Sequence, residues 1–176
     1  DWSIMASILK VNTIQDATNS NTALSIDSSG RITEPNRPAF QACINSNAWG
    51  TVGEGAVVPF NDVSNNNCFD TGSNFNTSSY RFVAPVAGKY LFNVILYSFN
   101  SDSGNAFAFY KNGSLLVPSP SGQIQILDGQ TGSIDATITG SVNADLSASD
   151  YIDIRGVGTS SDYYGILSHF GGHLIG

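Results

Sequence analysis

The amino-acid sequence predicts an all-β fold, and three observations support that prediction. Short segments of alternating apolar and polar residues recur along the chain, separated by turns rich in Gly, Asn, Asp and Ser. No segment carries the sustained 3.6-residue apolar stripe of an amphipathic helix. Charged residues make up only 12% of the 176 residues, and Glu, which favours helices, occurs twice. The spacing of the turns is typical of a β-sandwich or jelly roll.

The charge balance excludes several classes of partner. The chain carries 14 acidic and 7 basic residues, for a net charge of −7. Seven scattered cations cannot form the basic face that nucleic acids require, so no nucleic-acid partner is expected. No run approaches the ~20 apolar residues of a membrane span, which argues against membrane insertion. The N-terminus also lacks the regions of a signal peptide.

An N-terminal segment, residues 1–36, is predicted to be a short β unit distinct from the domain at residues 37–176. Met-Ala-Ser at residues 5–7 is a natural protein start, so residues 1–4 are interpreted as a cloning remnant or processing scar. Turns at residues 16–21 and 27–30 separate the apolar positions of residues 6–34, which favours two or three short strands. Two or three short strands cannot bury a hydrophobic core by themselves. This segment is therefore expected to pack on a partner, a neighbouring subunit or the main domain.

The main domain is predicted to alternate strands and turns. Strands are expected at residues 39–44, 57–63, 80–85, 89–99, 106–110, 133–146, 151–157 and 170–175. Pro59 confines the second of these to a sheet edge or a bulge. Asn112-Gly113 predicts a two-residue hairpin turn after the fifth. Residues 50–55 are interpreted as a flexible loop, and Asp128 and Asp145 are placed in loops.

Residues 38–176 resemble the C1q-like domain, the jelly roll shared with tumour necrosis factor. The motifs that carry the resemblance are, in order, PAF at 38–40, VPFNDV at 58–63, YRFVAPVAGKYLF at 80–92, YKNG at 110–113, LSASDYIDI at 146–154 and SHFGGHLI at 168–175. Ser149 stands where the family usually carries Gly. The resemblance implies a ten-stranded antiparallel jelly-roll sandwich that assembles as a homotrimer about a threefold axis.

The N-terminal segment carries a second resemblance. ILKVNTIQD at residues 8–16 and ALSIDSSGRI at residues 23–32 are similar to the start of virion proteins of tailed phages, which are tail fibres or structural proteins. This resemblance implies that residues 6–34 bind other virion proteins or join the trimer base. It also implies a location on the virion, an extracellular particle assembled in the host cytoplasm.

Aromatic residues beside acids and amides indicate a candidate ligand site. Trp49 and the run Asp162-Tyr163-Tyr164 are predicted to lie in exposed turns. Aromatic rings stack on pyranose faces while polar groups bind sugar hydroxyls, so these four residues favour polysaccharide binding. The alternative is that the rings are buried at a subunit contact or cap the sandwich, and both interpretations remain open.

Catalytic residues are not expected, and the chain is interpreted as non-enzymatic. Asp150 and Asp153 lie at an odd offset and would point to opposite faces of a strand. His169 and His173 are four residues apart, which on a strand is ~13 Å and too far to chelate one ion. At a threefold axis, however, each histidine would meet its own copies and three imidazoles would hold an ion.

No cofactor is expected, with calcium as the alternative. The Asp- and Asn-rich stretches at residues 62–67 and 70–74 contain hard oxygen ligands, although ordinary turn chemistry explains them equally well. The identity of any metal ligands therefore stays unknown. Cys43 and Cys68 lack the spacing of a metal site, and either two buried thiols or one disulfide is consistent with the sequence.

Together these features predict a trimeric, non-enzymatic virion surface protein of a tailed phage, such as a tail fibre. Its C1q-like head would bind a host-surface receptor, most simply a polysaccharide, through loops on a rigid sandwich. One alternative is a capsid decoration protein that clamps neighbouring shell subunits, which a gene start at Met5 without a long shaft favours. A secreted C1q-like binding module is a further alternative.

Overall fold

The computed structural model of the protein describes residues 9–65, 67–99, 106–116, 127–128, 135–157 and 159–176. The chain divides into two compact units, Asp1–Arg37 and Pro38–Gly176. The predictions for residues 1–8 and for the first two positions of the strand expected at 133–146 lie outside the described residues. Within the described part, no helix has the length and apolar character needed to cross a membrane.

The first unit is a three-stranded antiparallel sheet, as expected for a short β segment. Strands β1 (Thr13–Gln15), β2 (Thr22–Ile26) and β3 (Ile32–Thr33) pair in chain order. Two aspartates order the connecting turns: Asp16 Oδ1 accepts the N–H groups of Thr18 and Asn19, and Asp27 Oδ1 accepts that of Ser29. Residues 9–37 include no buried residue, which agrees with the expectation that this segment buries little by itself.

The second unit is a sandwich of two antiparallel sheets with an additional two-stranded ribbon. Its described strands are β4 (Ala39–Cys43), β5 (Trp49–Val52), β6 (Phe69–Thr71), β7 (Phe75–Asn76), β8 (Arg81–Val83), β9 (Gly88–Phe99), β10 (Ala106–Lys111), β11 (Ser114–Leu115), β12 (Leu127–Asp128), β13 (Asp135–Leu146), β14 (Tyr151–Gly156), β15 (Ser161–Tyr164) and β16 (His169–Leu174).

Strand order crosses repeatedly between the two sheets, which is the topology of a jelly roll. The five-stranded sheet has the order β13-β9-β16-β4-β6. The six-stranded sheet has the order β11-β10-β14-β8-β7, with β12 also paired to β10. The ribbon consists of β5 and β15. The predicted all-β jelly roll is confirmed, and short strands such as β7 and β11 supplement its main strands.

The core lies between the two sheets and is dominated by phenylalanine. The Phe40 ring of the five-stranded sheet stacks on Phe82 of the six-stranded sheet, with centroids 4.8 Å apart. Phe170 meets Phe40 edge-on at 5.0 Å and packs against Phe109 in a tilted arrangement, with centroids 6.3 Å apart. Each fully buried ring contributes about 1.5–3 kcal/mol by leaving water, and ring pairs add more. The alternating pattern of strands 39–44 and 89–99 predicts these inward positions.

The strand expected at residues 57–63 is not formed. Only isolated bridges join Val57 to Arg155 and Asp62 to Cys43. Pro59 has no N–H group to donate to a neighbouring strand. The Phe60 N–H donates to the Val58 carbonyl at 2.9 Å, which forms a tight three-residue turn centred on Pro59. Val58 and Phe60 are nevertheless buried, so the apolar pattern reports core contact without strand pairing.

Two segments predicted as irregular are strands. The loop expected at 50–55 begins inside β5, and the turn expected at 160–165 is occupied by β15, which pairs antiparallel with β5. The β-branched and aromatic residues of these segments favour strands over the turn preference of their Gly and Ser neighbours. Asp145, expected in a loop, lies in β13 opposite Lys89, and Asp128 lies in β12.

The backbone φ angles at two turns explain which residue types are favoured there. β10 and β11 are joined by Asn112 and Gly113, whose φ angles are 51° and 82°. Positive φ at both central residues defines the two-residue turn predicted from the Asn-Gly pair, which is confirmed. Ser149 also has a positive φ of 74°, which explains why the resembling family carries Gly at this position.

Candidate functional site

The β5–β15 ribbon carries the residues predicted to bind a ligand. Trp49 lies opposite Tyr164, and Thr51 lies opposite Asp162. Because side chains alternate along a strand, these four residues share one face of the ribbon. Trp49 is 48% exposed, and Tyr164 and Asp162 are partly exposed. The structure therefore brings together three of the four predicted site residues, although they come from strands rather than loops.

Tyr163 lies on the opposite face of the ribbon and is separated from the other three. It is only 7% exposed and belongs to the core cluster. Its ring covers Gly50, the residue opposite it in the ribbon, so closely that a Cβ at that position would collide with the ring. Burial raises the pKa of the Tyr163 phenol. The prediction that Tyr163 lies in an exposed turn is wrong because strand alternation turns it inward.

Three aromatic rings form one wall of a surface groove. The Trp49 ring stacks on Tyr97 of β9, with centroids 5.9 Å apart and planes at 29°. Tyr164 meets Trp49 edge-on, with centroids 5.1 Å apart and planes at 78°. The groove has a volume of about 430 Å³ and is lined by Asn47, Trp49, Tyr97, Tyr164, Ile166 and Leu167. Such a mixture of rings with a few polar groups is typical of a small-molecule or sugar subsite.

Hydrogen bonds fix the orientation of these rings. The Tyr164 hydroxyl donates to Asn47 Oδ1 at 2.9 Å. The Ser168 hydroxyl donates to the Tyr164 carbonyl at 2.8 Å and accepts the Tyr97 N–H at 3.3 Å. On the same face of the ribbon, the Thr51 hydroxyl donates to Asp162 Oδ1 at 2.7 Å. The groove wall is therefore preorganised.

Sequence reasoning missed Tyr97, Ile166 and Leu167 as lining residues. Tyr97 lies in the apolar run that predicts β9, and an apolar run alone does not separate an inward from an outward ring. The alternation of side chains along the strand separates the two cases. The even-numbered residues Tyr90, Phe92, Val94 and Leu96 are buried, so the odd-numbered Tyr97 points outward. Ile166 and Leu167 lie in a short 3-10 helix, Gly165–Leu167, for which the sequence carries no cap signal.

Over its central rows, the outward face of the five-stranded sheet carries no charged residue on the five strands themselves. We call this surface the uncharged face. Charges close to it in register include Asp145 and Lys89 at one end of β13 and β9, and Asp62, which is 6% exposed and bridges to Cys43 beside β4. Register and alternation assign to it Thr137, Thr139, Ser141 and Asn143 of β13, Leu91, Asn93, Ile95 and Tyr97 of β9, His169, Gly171 and His173 of β16, Ala39 and Gln41 of β4, and Phe69 and Thr71 of β6. None of these is Asp, Glu, Lys or Arg, and Ile95 and Phe69 are 39% and 47% exposed. Tyr97 belongs both to this face and to the groove.

The two histidines lie on the uncharged face, at opposite ends of β16. His169 pairs with Ile95 and His173 with Leu91, so they share a face, as the even offset predicts. Among the described residues, no group of three or more His, Cys, Asp or Glu side chains could hold a metal ion. Whether copies of either histidine meet in an assembly stays a prediction.

Turn hydrogen bonds order the two acidic stretches considered for calcium. Asn65 Nδ2 donates to Asp62 Oδ2 at 2.6 Å, and the Ser64 N–H donates to Asp62 Oδ1 at 2.8 Å. These bonds lower the pKa of Asp62 to about 2. In the second stretch, Asp70 accepts the N–H groups of Asn74 and Phe75 at 3.0 and 2.9 Å. Both carboxylates thus act as turn acceptors, which supports the interpretation as turn chemistry.

Comparison with known proteins supports the fold but assigns no family. No family model and no curated protein matches the chain. Among solved structures, the globular domain of zebrafish complement 1qA protein is similar at 19% identity and a TM-score of 0.58, covering 80% of this chain and 98% of that one. Eiger TNF from S. frugiperda is similar at 12% identity and a TM-score of 0.56, covering 80% and 94%. The chain therefore contains a jelly roll of the C1q and tumour necrosis factor type.

Proposed function

We propose that the protein is a non-enzymatic homotrimer whose jelly-roll heads contact one another through the uncharged face. The observation that supports this proposal most directly is the absence of charge over the central rows of that face. Interface cores are depleted in charged residues and enriched in aromatic and aliphatic ones. A solvated sheet face in a chain with a net charge of −7 would ordinarily carry several ions. The occupant of the face is thus a second copy of the same chain.

The assembly is tested by measuring molar mass with light scattering at low micromolar concentration. The expected value is three times the chain mass of 18.6 kDa. Ile95→Asp places a charge at the middle of the uncharged face and is expected to dissociate the assembly. Val86→Asp is the matched control, because Val86 is 45% exposed, close to Ile95 at 39%, and lies outside that face. A wild-type monomer, or equal dissociation by both variants, would contradict the proposal.

At a finer level, we propose that each head binds a surface polysaccharide in the groove lined by Trp49, Tyr97 and Tyr164. The exposed Trp49 indole offers a flat face for a pyranose ring, the Asn47 amide lines the same groove, and Asp162 lies on the same ribbon face as Trp49. Three shallow grooves on one trimer would bind a repeating polymer through avidity, which offsets the weakness of each single site.

Within the jelly roll, the groove lies far from the first residue of the unit. Pro38, the first residue of this unit, accepts a hydrogen bond from the Leu174 N–H at 3.0 Å, beside the Tyr90 end of β9. Tyr97 lies near the other end of β9, six residues beyond Leu91, or ~20 Å at the strand rise. The chain therefore enters the domain at one end of the sheet, and the groove opens at the other.

Polysaccharide binding is tested with a glycan array or isolated surface polysaccharide of candidate hosts. Trp49→Ala is expected to remove binding while the trimer mass stays unchanged, and Trp49→Phe, which keeps a flat ring, is expected to retain part of it. Dissociation of the trimer by Trp49→Ala would instead assign the rings to a subunit contact. Absence of binding by the wild-type trimer at micromolar concentration would contradict the ligand proposal alone.

The finest level of the proposal places this trimer on the virion of a tailed phage, as a tail-fibre or other surface protein that binds a host receptor. Its support is the resemblance of the motifs at residues 8–16 and 23–32 to the start of such proteins, to which the comparisons with known proteins add no match. Antibody labelling of particles, viewed by negative-stain microscopy, tests it. Label on the tail supports the fibre assignment, label on the shell supports a capsid decoration protein, and unlabelled particles contradict both.

A further inference from the structure

Cys43 and Cys68 lie side by side at one edge of the five-stranded sheet. Cys43 is the last residue of β4, and Cys68 immediately precedes β6, the strand that pairs with β4 through Gln41 and Phe69. The Cys43 side chain is close enough to Cys68 to raise the pKa of its thiol. Both residues are reduced in the structure, so this contact is between two S–H groups and not a covalent bond.

Hydrogen bonds with backbone groups hold the two cysteines next to each other. The Asn65 carbonyl accepts the Cys43 thiol at 3.6 Å and the Cys68 N–H at 2.8 Å, so one oxygen bridges both residues. Cys43 is further fixed by reciprocal backbone bonds to Asp62, at 2.8 and 3.0 Å. A disulfide needs two Cβ atoms held close in a restricted geometry, and this arrangement keeps both thiols together before any bond forms.

The pair is buried, but it lies outside the aromatic core. Cys43 and Cys68 are 0% and 7% exposed, and neither belongs to the cluster of core residues between the sheets. A bond between the sulfurs would therefore leave the ring packing of the core in place. Burial raises the pKa of the Cys68 thiol, and the neighbouring Cys43 and the Asp62 carboxylate raise it further. The thiolate fraction is low, so reaction with an external disulfide is slow.

We propose that Cys43 and Cys68 form an oxidisable pair, which a low-molecular-weight disulfide such as oxidised glutathione converts into an intramolecular disulfide. One cysteine attacks a glutathione sulfur as thiolate, forming a mixed disulfide and releasing one glutathione thiol. The other cysteine attacks the protein sulfur of that mixed disulfide and releases the second. Two protein thiols are oxidised, one glutathione disulfide is reduced, and the two thiol protons end on the two glutathione molecules.

The new bond would restrain the segment that carries part of the groove. Residues 44–67 lie inside the closed loop, and they include Asn47, Trp49 and all of β5. Cross-linking lowers the conformational entropy of the unfolded chain, so the oxidised domain is expected to melt roughly 5–15 °C higher than the reduced one. The reduced form is the one described here, and oxidation would act as a covalent stabiliser of the ribbon side of the domain.

The test uses the full-length chain incubated in glutathione buffers of increasing oxidised fraction. Each sample is denatured, alkylated and weighed by intact mass spectrometry. Cleavage after Arg31, Glu54 and Arg81 separates the two cysteines, because Glu54 lies between them. The expected product has lost two hydrogens, takes up no alkyl group, and yields the peptides containing Cys43 and Cys68 joined. Its melting temperature is raised, and dithiothreitol reverses both changes.

Cys43→Ala and Cys68→Ala are the matched controls, and each is expected to gain a single glutathione adduct at most, with no rise in melting temperature. Persistence of two alkylatable thiols at every ratio would overturn the proposal. So would products confined to glutathione adducts or to cross-links between chains. If either variant fails to fold, the wild-type mass and peptide map decide the question alone.

Discussion

The ring of Tyr163 lies directly over Gly50, the residue that faces it across the β5–β15 ribbon. This contact joins two segments more than a hundred residues apart in sequence, and it depends on glycine because any Cβ would enter the ring. It also decides which ribbon residues reach solvent. With Tyr163 seated inward over Gly50, strand alternation places Trp49 and Tyr164 outward in the groove.

Gly50→Ala is expected to destabilise the domain by about 1–3 kcal/mol, because the added methyl group overpacks against Tyr163. Equilibrium denaturation measures the change. Gly53→Ala is the matched control, since a Cβ there meets only the Thr159 carbonyl, at an ordinary 3.6 Å. In a Tyr163→Leu background, which lacks the colliding ring atoms, Gly50→Ala should cost clearly less. Equal effects in both backgrounds would show that the ring is not responsible.

Ser149→Gly is expected to stabilise the domain by about 0.5–1 kcal/mol. Ser149 has a φ of 74°, where a Cβ is strained, and relief of that strain exceeds the added freedom of the unfolded chain. Thermal unfolding should show a rise of roughly 2–4 °C. Ser149→Ala retains the Cβ and should give no gain, so stabilisation by both variants would refute the backbone explanation.

Acid is expected to weaken the fold through Asp62. Its pKa falls from 3.8 to about 2 because Asn65 and Ser64 donate hydrogen bonds to the carboxylate. A carboxylate with a lowered folded pKa stabilises the protein above its unfolded pKa, and this contribution disappears as pH falls from about 4 to 2. Asp62→Asn should lower the melting temperature at pH 7 and flatten its decline between pH 5 and 2. A decline as steep as that of the wild type would assign the effect to other groups, such as Asp150, whose pKa is also about 2.

Asp153→Asn is expected to destabilise the six-stranded sheet by about 2–4 kcal/mol. The Asp153 side chain is completely buried and binds Arg155 through two hydrogen bonds, at 2.7 and 3.0 Å. Removing the negative charge leaves the guanidinium, which also lies 4.8 Å above the Tyr110 ring, without its counter-charge. Chemical denaturation of the variant, of Arg155→Met and of the double variant forms a mutant cycle. Additive losses would show that the pair is not coupled.

The regular part of the fold is predictable because its signals are local. The alternation of 89–99, the apolar pattern of 39–44 and the Asn112-Gly113 turn each act within a few residues, and all three features appear as expected. The ribbon is different, since Trp49 pairs with Tyr164 across a long sequence separation and its flanking Gly and Ser residues favour turns. A long-range pairing of this kind overrides local composition and leaves no short-range pattern.

The candidate site is likewise predictable only where the signal is local. Residue type alone singled out Trp49, Asp162 and Tyr164 as candidates, and the structure places all three on one face of the ribbon. Residue type could not assign Tyr163 to the core or Tyr97 to the groove, because both assignments depend on strand parity. A shift of the strand register by one residue exchanges the inward and outward side chains, and the register is set by pairing with neighbouring strands.

Both ends of the jelly roll lie at the same end of the central strands of the five-stranded sheet, where the Leu174 N–H donates to the Pro38 carbonyl and Gly176 accepts the Lys89 N–H at 2.7 Å. A short Gly-Ser linker from Gly176 to Pro38 would close this unit into a ring, and new termini could open at the Asn112-Gly113 hairpin. In the unpermuted unit, cargo fused at Gly176 would lie at the opposite end of β9 from Tyr97. The architecture is therefore suited to circular permutation and to use as a display scaffold.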